Sequence, residues 1–538
     1  MTIIKKWFSQ FNLNLITKNN FNLLLVISFA VITLIGILNH AMWRDEVNGW
    51  LIARDSVSWK KFFYNINYEG HPILWYICLW GLNQLTPNPI AMQLFHWLIA
   101  VGYLTLFVSY SPFTKQQKLL FSLGYLPFYE YTLISRNYSL GIMAIFCFCT
   151  YFETRHKNYI PLAIILAFMA NTNAYCLMIS MSLALTLVFD YLTQNHFECK
   201  GKAGVQNIVI AFTIFSLGIV LAGIMLFPPL DSTLQGGASQ WFIEFDWIRF
   251  NQSLTRIWRS YVLVLIPSDS KPLDLAIFAV LSLGLLGFVS TLLIKTPIAL
   301  FFYLVSSLEL LTFTYLKFLG SQRHYGHLYI ILITSLWIKN YYSNSKYLVN
   351  LFRCIPQKLY KILSIWLKFV TYKKESFVMI ILCFQLIAGI IAFSRDLLTP
   401  YSASRATANF IQRNNLDSMM IAGSEDFTIA PISGYLNKKI YYPESQRLGS
   451  YVLFNERRKI IDDEDILTTI NQLISNSENK EDIILILNRQ LKTIRSDLEI
   501  VFLAQFKNAF IYNEKYYLYS IKQRNLNPIN KKDKPNDL

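Results

Sequence analysis

The sequence predicts a polytopic α-helical membrane protein that carries a small water-soluble α/β domain after its last apolar segment. Three observations lead there. Only 15% of the 538 residues are charged and 54% are hydrophobic, whereas a soluble domain carries about 25% charged residues. The apolar residues come in blocks: Phe21 to Leu38, Ile208 to Phe227, Leu273 to Ile294 and Phe377 to Phe393 each approach the roughly 20 helical residues that cross a bilayer core. After about Arg395 the charges return and the apolar runs shorten. The long runs lack the alternation of barrel strands, so helices must satisfy their backbone groups in lipid.

The net charge of +16 would raise nucleic-acid binding in a soluble protein. Here the basic residues gather in a few segments between apolar runs, the pattern of positive-inside topology, so no nucleic-acid partner is expected. Lys5, Lys6 and Lys18 precede the first run, Lys115 to Lys118, Arg155 to Lys157, Lys200 to Lys202 and Lys295 follow, and Lys339 to Lys374 holds eight lysines and arginines in its basic positions. These place the N-terminus in the cytoplasm. The last segment would also touch anionic lipid headgroups, with 347–370 reading as an amphipathic in-plane helix. The first run has no small-residue cleavage site and reads as a retained helix.

Spans are expected at about 21–40, 90–110, 118–134, 139–154, 159–172, 175–194, 207–227, 273–294, 297–316, 326–338 and 376–394. That makes about eleven crossings of the cytoplasmic membrane and an extracytoplasmic C-terminus. Pro72 to Leu85 is apolar but short and reads as partial or re-entrant. The expected organisation is a transmembrane domain over 1–394, an α/β domain over 395–524 and a disordered tail over 525–538.

Within the α/β domain, Ser402 to Asn414 has helical spacing, with Ala406, Phe410 and Ile411 on one face. Met419 to Ala422, Lys439 to Tyr442, Ile483 to Leu487, Ile500 to Phe506 and Tyr516 to Ile521 read as strands. Phe427 to Leu436 reads as a helix broken near Pro431, and Asp462 to Ile474 as a helix with acids in its first turn. Interleaved helices and strands give the α/β class. No glycine-rich phosphate loop occurs. The seven cysteines form no CxxC pair, which excludes a disulfide framework and a zinc signature.

Four polar clusters interrupt the apolar pattern, all on the outer side of this topology. Trp43-Arg44-Asp45-Glu46 directly follows the first helix; a charge at the bilayer centre costs about 2.5–3.5 kcal/mol on insertion scales, so these three sit at or above the interface. Tyr68-Glu69-Gly70-His71-Pro72 closes the same loop, its glycine and proline fixing a turn. Ser135-Arg136-Asn137-Tyr138 lies between two apolar helices, near the uncharged turn Asn171-Thr172-Asn173-Ala174-Tyr175. Gln322-Arg323-His324-Tyr325-Gly326-His327 opens a short helix. Its two histidines lack an accompanying acid or cysteine, so an anion site suits it better than a metal: guanidinium matches phosphate oxygens in a fixed fork. A carboxylate with several cations suits a reaction in which an acid activates a nucleophile while cations hold a departing phosphate.

The order of these clusters resembles the GT-C superfamily of membrane glycosyltransferases, especially its protein O-mannosyltransferase and aminoarabinose-transferase branch. Asp45-Glu46 matches the acidic pair after the first helix. Glu69-Gly70-His71-Pro72 matches the loop end Glu-Gly-His-Pro-Pro, with Ile73 replacing the second proline. Ser135-Arg136-Asn137-Tyr138 matches an Ala-Arg-x-Tyr segment. Thr172-Asn173-Ala174-Tyr175 stands where a Thr-His-Tyr turn is common, without the histidine, and Arg323-His324 resembles a late Arg-Tyr or Arg-His segment. The resemblance covers roughly residues 20 to 340.

It implies an inverting enzyme that takes a sugar from a polyprenyl-phosphate donor and passes it to a glycan, lipid or protein acceptor on the outer face of the membrane. Asp45 would be the general base and Glu46 a supporting acid. Arg136, Arg323 and His324 would bind the carrier phosphate. Arg44, Glu69, His71, Tyr138 and Asn173 would shape the substrate site. Some branches need a divalent cation and others do not; the acids here are too few and scattered to claim one. Two other readings stay open: a transporter or flippase of lipid-linked sugars, and a non-catalytic envelope assembly protein.

Overall fold

The apolar blocks become helices. The computed structural model describes residues 20–193, 203–234, 241–264, 266, 268–269, 271–345, 347–348, 356–476 and 482–524. The basic residues Lys5, Lys6, Lys18, Lys200, Lys202, Lys346 and Arg353, the cysteines Cys199 and Cys354, and the expected tail 525–538 lie outside them. The described chain divides into two units. The first draws on Met1–His40, Ser56–Thr86 and Ile90–Leu398, the second on Ala41–Asp55, Pro87–Pro89 and Thr399–Leu538.

The first unit opens with helix α1 (Asn20–Asn39). The second-unit helix α2 (Arg44–Asp55) follows in sequence, then α3 (Trp59–Ile66) and α4 (Leu74–Asn83). The first unit continues with α5 (Ile90–Tyr110), α6 (Lys115–Ser122), α7 (Tyr138–Tyr151), α8 (Ile160–Ala170), α9 (Ala174–Thr193) and α10 (Val205–Leu226). After these come α11 (Trp247–Tyr261), α12 (Pro272–Leu293), α13 (Pro297–Leu316), α14 (Gln322–Tyr325), α15 (His327–Lys339) and α16 (Gln357–Leu398).

Seven of the described helices are long and apolar enough to cross a membrane: α1, α5, α9, α10, α12, α13 and α16. Their outward faces carry large apolar residues, such as Leu24, Val31 and Ile35 on α1 and Phe212, Leu217 and Ile224 on α10. Such stripes are stable only when lipid covers them. The chain is a multi-pass membrane protein.

The other four expected spans are shorter. The one over 118–134 splits into α6 and a π-helical turn, Tyr125–Glu130, and α7, α8 and α15 run for 14, 11 and 13 residues. At 1.5 Å per residue these fall below the roughly 30 Å of a bilayer core. In α15 the residues from His327 to Ile338 are all buried, whereas α6 and α8 expose Leu119, Ile164 and Phe168. The partial segment forms the ten-residue α4. A further difference lies at 347–398. The expected in-plane helix and the last span share one unbroken 42-residue helix from Gln357, because nothing between Val370 and Ser376 stops a helix. A buried pair joins the ends of this unit: His40 Nδ1 meets Asp396 Oδ2 at 2.7 Å.

The second unit adds α17 (Ser404–Arg413), β1 (Met420–Ser424), α18 (Asp426–Leu436), β2 (Ile440–Tyr442) and β3 (Arg447–Gly449). It ends with α19 (Asp463–Asn476), β4 (Ile483–Leu487), β5 (Leu498–Phe506) and β6 (Tyr516–Gln523). The six strands form one sheet in the order β3-β2-β1-β4-β6-β5. β1 is parallel to β2 and β4, and the remaining pairs are antiparallel. Side chains alternate across the sheet with period two. Ile421, Ile484 and Ile486 pack with Ile411, Ile429 and Ile432 of α17 and α18, while Ala422, Ile483 and Leu485 pack with Ile466, Ile470 and Ile474 of α19.

Two details differ from the sequence expectation. α18 is continuous through Pro431, because its buried face is held by packing that outweighs one lost backbone bond. α17 buries Ser404, Thr407, Ala408 and Ile411 rather than Ala406. The unit also takes in residues 41–55 and begins at Thr399, whereas the sequence set its range at 395–524.

Candidate functional site

In the first unit, the polar clusters separated in sequence gather around α14. The 3₁₀ turn Asn67–Glu69 ends at Gly70, whose φ of +65° is a left-handed conformation that glycine adopts without a Cβ clash. Beyond it stands half-buried His71. The Arg136 Nη2 atom lies 2.8 Å from His71 Nε2. A guanidinium can only donate, so that nitrogen accepts and the ring proton sits on Nδ1. The Tyr76 hydroxyl donates to Glu69 Oε2 at 3.3 Å.

α14 is held by its own cap. Ser321 N–H donates to His324 Nδ1 at 2.8 Å, which leaves Nε2 of the neutral ring as the donor. Burial first, then the Arg323 and Arg136 guanidiniums, hold the His324 pKa well below the ordinary histidine value. At neutral pH His324 therefore offers an N–H and no charge. Its ring packs at 5.9 Å from Tyr138 and stacks at 5.3 Å on Tyr175. The Arg323 carbonyl accepts from the Tyr131 hydroxyl at 2.9 Å, and Arg323 Nε lies 3.6 Å from Glu130 Oε1.

The sequence reading missed two further cations. Arg256 and Arg259 are buried on α11, which Asp246 caps by accepting from Arg249 N–H at 2.6 Å. Both reach one carboxylate, Asp269, at 3.9 Å and 2.8 Å. Arg256 also lies over the Tyr325 ring at 5.0 Å, and the Arg259 carbonyl accepts from Gln322 at 3.1 Å, so α11 and α14 form one cationic surface. The available signal was amphipathic spacing over 247–261, with arginines three apart on the buried face.

Asn173 has a different task. Its Oδ1 accepts from Cys176 N–H at 2.9 Å at the start of α9, and it is fully buried. That is an N-cap. Among the described residues, no three His, Cys, Asp or Glu side chains gather as a metal-holding group.

Arg44, Asp45 and Glu46 belong to the second unit. They form the first turn of α2, which packs on α18 so closely that a Cβ on Gly434 would come within 2.6 Å of Val47 Cγ1. Met42 N–H donates to the Tyr435 hydroxyl at 2.9 Å, and the Met42 carbonyl accepts from Ser404 Oγ at 3.0 Å. Glu46 is buried, and its Oε2 accepts from Trp43 N–H at 3.2 Å, as the third residue of a capping box does. Asp45 is 36% exposed and sits 3.9 Å from Arg44 Nε. Arg44 is anchored from the far end of the chain: its N–H donates to Glu514 Oε1 at 3.1 Å and its Nη1 to Asn513 Oδ1 at 2.7 Å. Of the acidic pair, then, Glu46 stabilises the helix start and Asp45 remains accessible.

No family model and no curated protein matches the chain. Solved structures do. ArnT from Cupriavidus metallidurans, bound to undecaprenyl phosphate and in the apo state, aligns over 93% of this chain and 97% of its own, with a TM-score of 0.51 and 10% identity. The likeness is one of fold: this chain has an ArnT-like fold.

Proposed function

We propose that the protein is a membrane glycosyltransferase that moves a sugar from a polyprenyl-phosphate donor to an acceptor on the outer face of the cytoplasmic membrane. The observation that carries this reading is the gathering of Glu69, His71, Arg136, Tyr138, Arg323 and His324 in one unit beside Arg256 and Arg259. Arg256 and Arg259 are buried on one helix beside Asp269, and the planar guanidinium fork suits the oxygens of a leaving phosphate. The ArnT structure with undecaprenyl phosphate supports the same class of donor.

The proposed chemistry is a single displacement. An acceptor hydroxyl attacks the anomeric carbon while the bond from that carbon to the phosphate oxygen breaks. The electron pair leaves with the polyprenyl phosphate, and the hydroxyl proton passes to Asp45. The configuration inverts. Arg136, Arg323, Arg256 and Arg259 stabilise the charge developing on the phosphate, and the Nε2–H of His324 adds a neutral donor. Glu46 holds Asp45 at a fixed helix start, and Asn173 keeps the Tyr175 turn in place.

The test uses purified protein with radiolabelled sugar on undecaprenyl phosphate and, separately, on a nucleoside diphosphate. Label should move to a membrane acceptor from the lipid donor only. Transfer from the nucleotide sugar alone, or from neither, contradicts the reading. Orientation is tested by labelling Ser418→Cys, at an exposed position, with a membrane-impermeant thiol reagent: reaction from outside the cell is expected, and reaction only from the cytoplasm reverses the topology.

A further inference from the structure

The second unit has a ligand-type edge of its own. β1 leads through α18 to β2 on one side, and α19 leads to β4 on the other side of β1. The carboxyl ends of β1 and β4 thus form a topological switch point, where open α/β sheets bind ligands. The side chains found there are Arg44, Glu425, Phe427, Phe454, Arg458 and Asn488, and each is half-buried.

They form one connected surface. Asn488 Nδ2 lies 3.4 Å from both Glu425 Oε2 and the Asn513 carbonyl. The Phe427 ring lies 5.3 Å from the Arg44 guanidinium and 5.2 Å from that of Arg458, and Phe454 packs beside it at 6.1 Å. Each guanidinium has carboxylates of its own: Arg458 meets Asp426 at 2.8 Å, and Arg44 meets Glu514 at 3.4 Å and Asp45 at 3.9 Å, with Glu425 on the same edge. This differs from the first unit, where two guanidiniums share Asp269. An edge with more carboxyls than guanidiniums gains little from a phosphate. Flat apolar rings beside planar groups that both donate and accept hydrogen bonds suit a sugar ring, whose C–H face is apolar and whose hydroxyls bond in both senses.

We infer that the carboxyl edge of β1 and β4, with Arg44, Glu425, Phe427, Phe454, Arg458 and Asn488, binds a neutral saccharide, the acceptor in the transfer reaction. The inference rests on the glycosyltransfer reading for that last role. Asp45 follows Arg44 directly, so a saccharide on this edge lies beside the proposed base.

The test is saturation-transfer NMR on the full-length protein in a sugar-free amphipol. The probes are neutral mono- to trisaccharides of glucose, galactose, mannose and N-acetylglucosamine. Binding is expected, and Phe454→Ala and Asn488→Ala should each weaken it at least fivefold while affinity for undecaprenyl phosphate and the melting temperature stay unchanged. Absence of saccharide binding by the wild type, or equal binding by both variants, overturns the site. If a variant melts early, the acceptor KM of Glu425→Gln replaces it: a rise with unchanged donor KM supports the site, and no change overturns it. Saccharide binding without transfer from the lipid donor would remove the glycosyltransfer reading and leave the site standing.

Discussion

The Arg136 guanidinium donates to Nε2 of His71 across 2.8 Å, joining two motifs 65 positions apart. This one bond fixes both the tautomer of the imidazole and the direction of the arginine fork. Its geometry makes His71 a positioning group for a cation.

The first prediction follows. His71→Ala removes the acceptor and should weaken undecaprenyl phosphate binding by about tenfold, as expected for a hydrogen bond to a charged group. His71→Gln supplies a side-chain oxygen that can accept from Arg136 and should recover most of the affinity. Equal losses in both variants would contradict the positioning role. Thermophoresis with a fluorescent carrier reads the difference.

Arg256 offers a sharper test of the phosphate site, because sequence motifs did not point to it. Arg256→Ala should cut affinity for undecaprenyl phosphate by about thirtyfold or more, the lower end of the range for a buried charge partner. Affinity for undecaprenol, which lacks the phosphate, should not move. A loss of the same size for both lipids would make Arg256 a packing residue.

The second unit should respond to pH. Burial pushes the carboxyls of Glu514 and Glu444 up to about 7, against the opposing pull of Ser402 and Arg44 on Glu514 and of Ser424 on Glu444. The unfolded carboxyls ionise near their ordinary value of about 4.5, so the folded unit holds the extra protons between these values. Stability therefore falls as pH rises from about 4.5 to 7 and levels above that, by up to about 3 kcal/mol per group. Denaturant unfolding at pH 5 and pH 8 measures it, and Glu514→Gln should flatten part of the slope. A gain in stability over that interval would contradict the assignment.

In the first unit, Asp396→Ala would leave His40 buried without its carboxylate. Removing one member of a buried pair costs about 3–5 kcal/mol. Asp396→Asn keeps a hydrogen-bonding side chain and should cost less than half as much. Thermal unfolding in detergent separates the two, and melting of Asp396→Ala at the wild-type temperature would show that the pair is not holding the first and last helices.

Much of this was legible in the sequence because hydrophobic pattern and turn chemistry act locally. The long spans, the strand Ile483–Leu487 and the acid-capped helix Asp463–Asn476 all read directly. Gly70 and the polar side chains of Glu69, His71, Arg136 and Arg323 marked breaks in the apolar pattern. What was hidden depends on long-range contact. Nothing near Arg44 reveals that Glu514 anchors it, 470 positions away. The amphipathic spacing over 247–261 marks a buried face for Arg256 and Arg259, but the tyrosine and carboxylate they meet there come from other segments. The lengths of α7, α8 and α15 were not legible either, because a helix buried in protein and one buried in lipid are both apolar.

The most direct test of the central claim is release of undecaprenyl phosphate, coupled to sugar transfer, by wild type and Asp45→Asn in reconstituted vesicles. The wild type should release one carrier phosphate per sugar transferred. Asp45→Asn should fold and bind the carrier normally yet slow transfer by at least a hundredfold, within the range for loss of a general base. Transfer by Asp45→Asn at the wild-type rate would contradict the account.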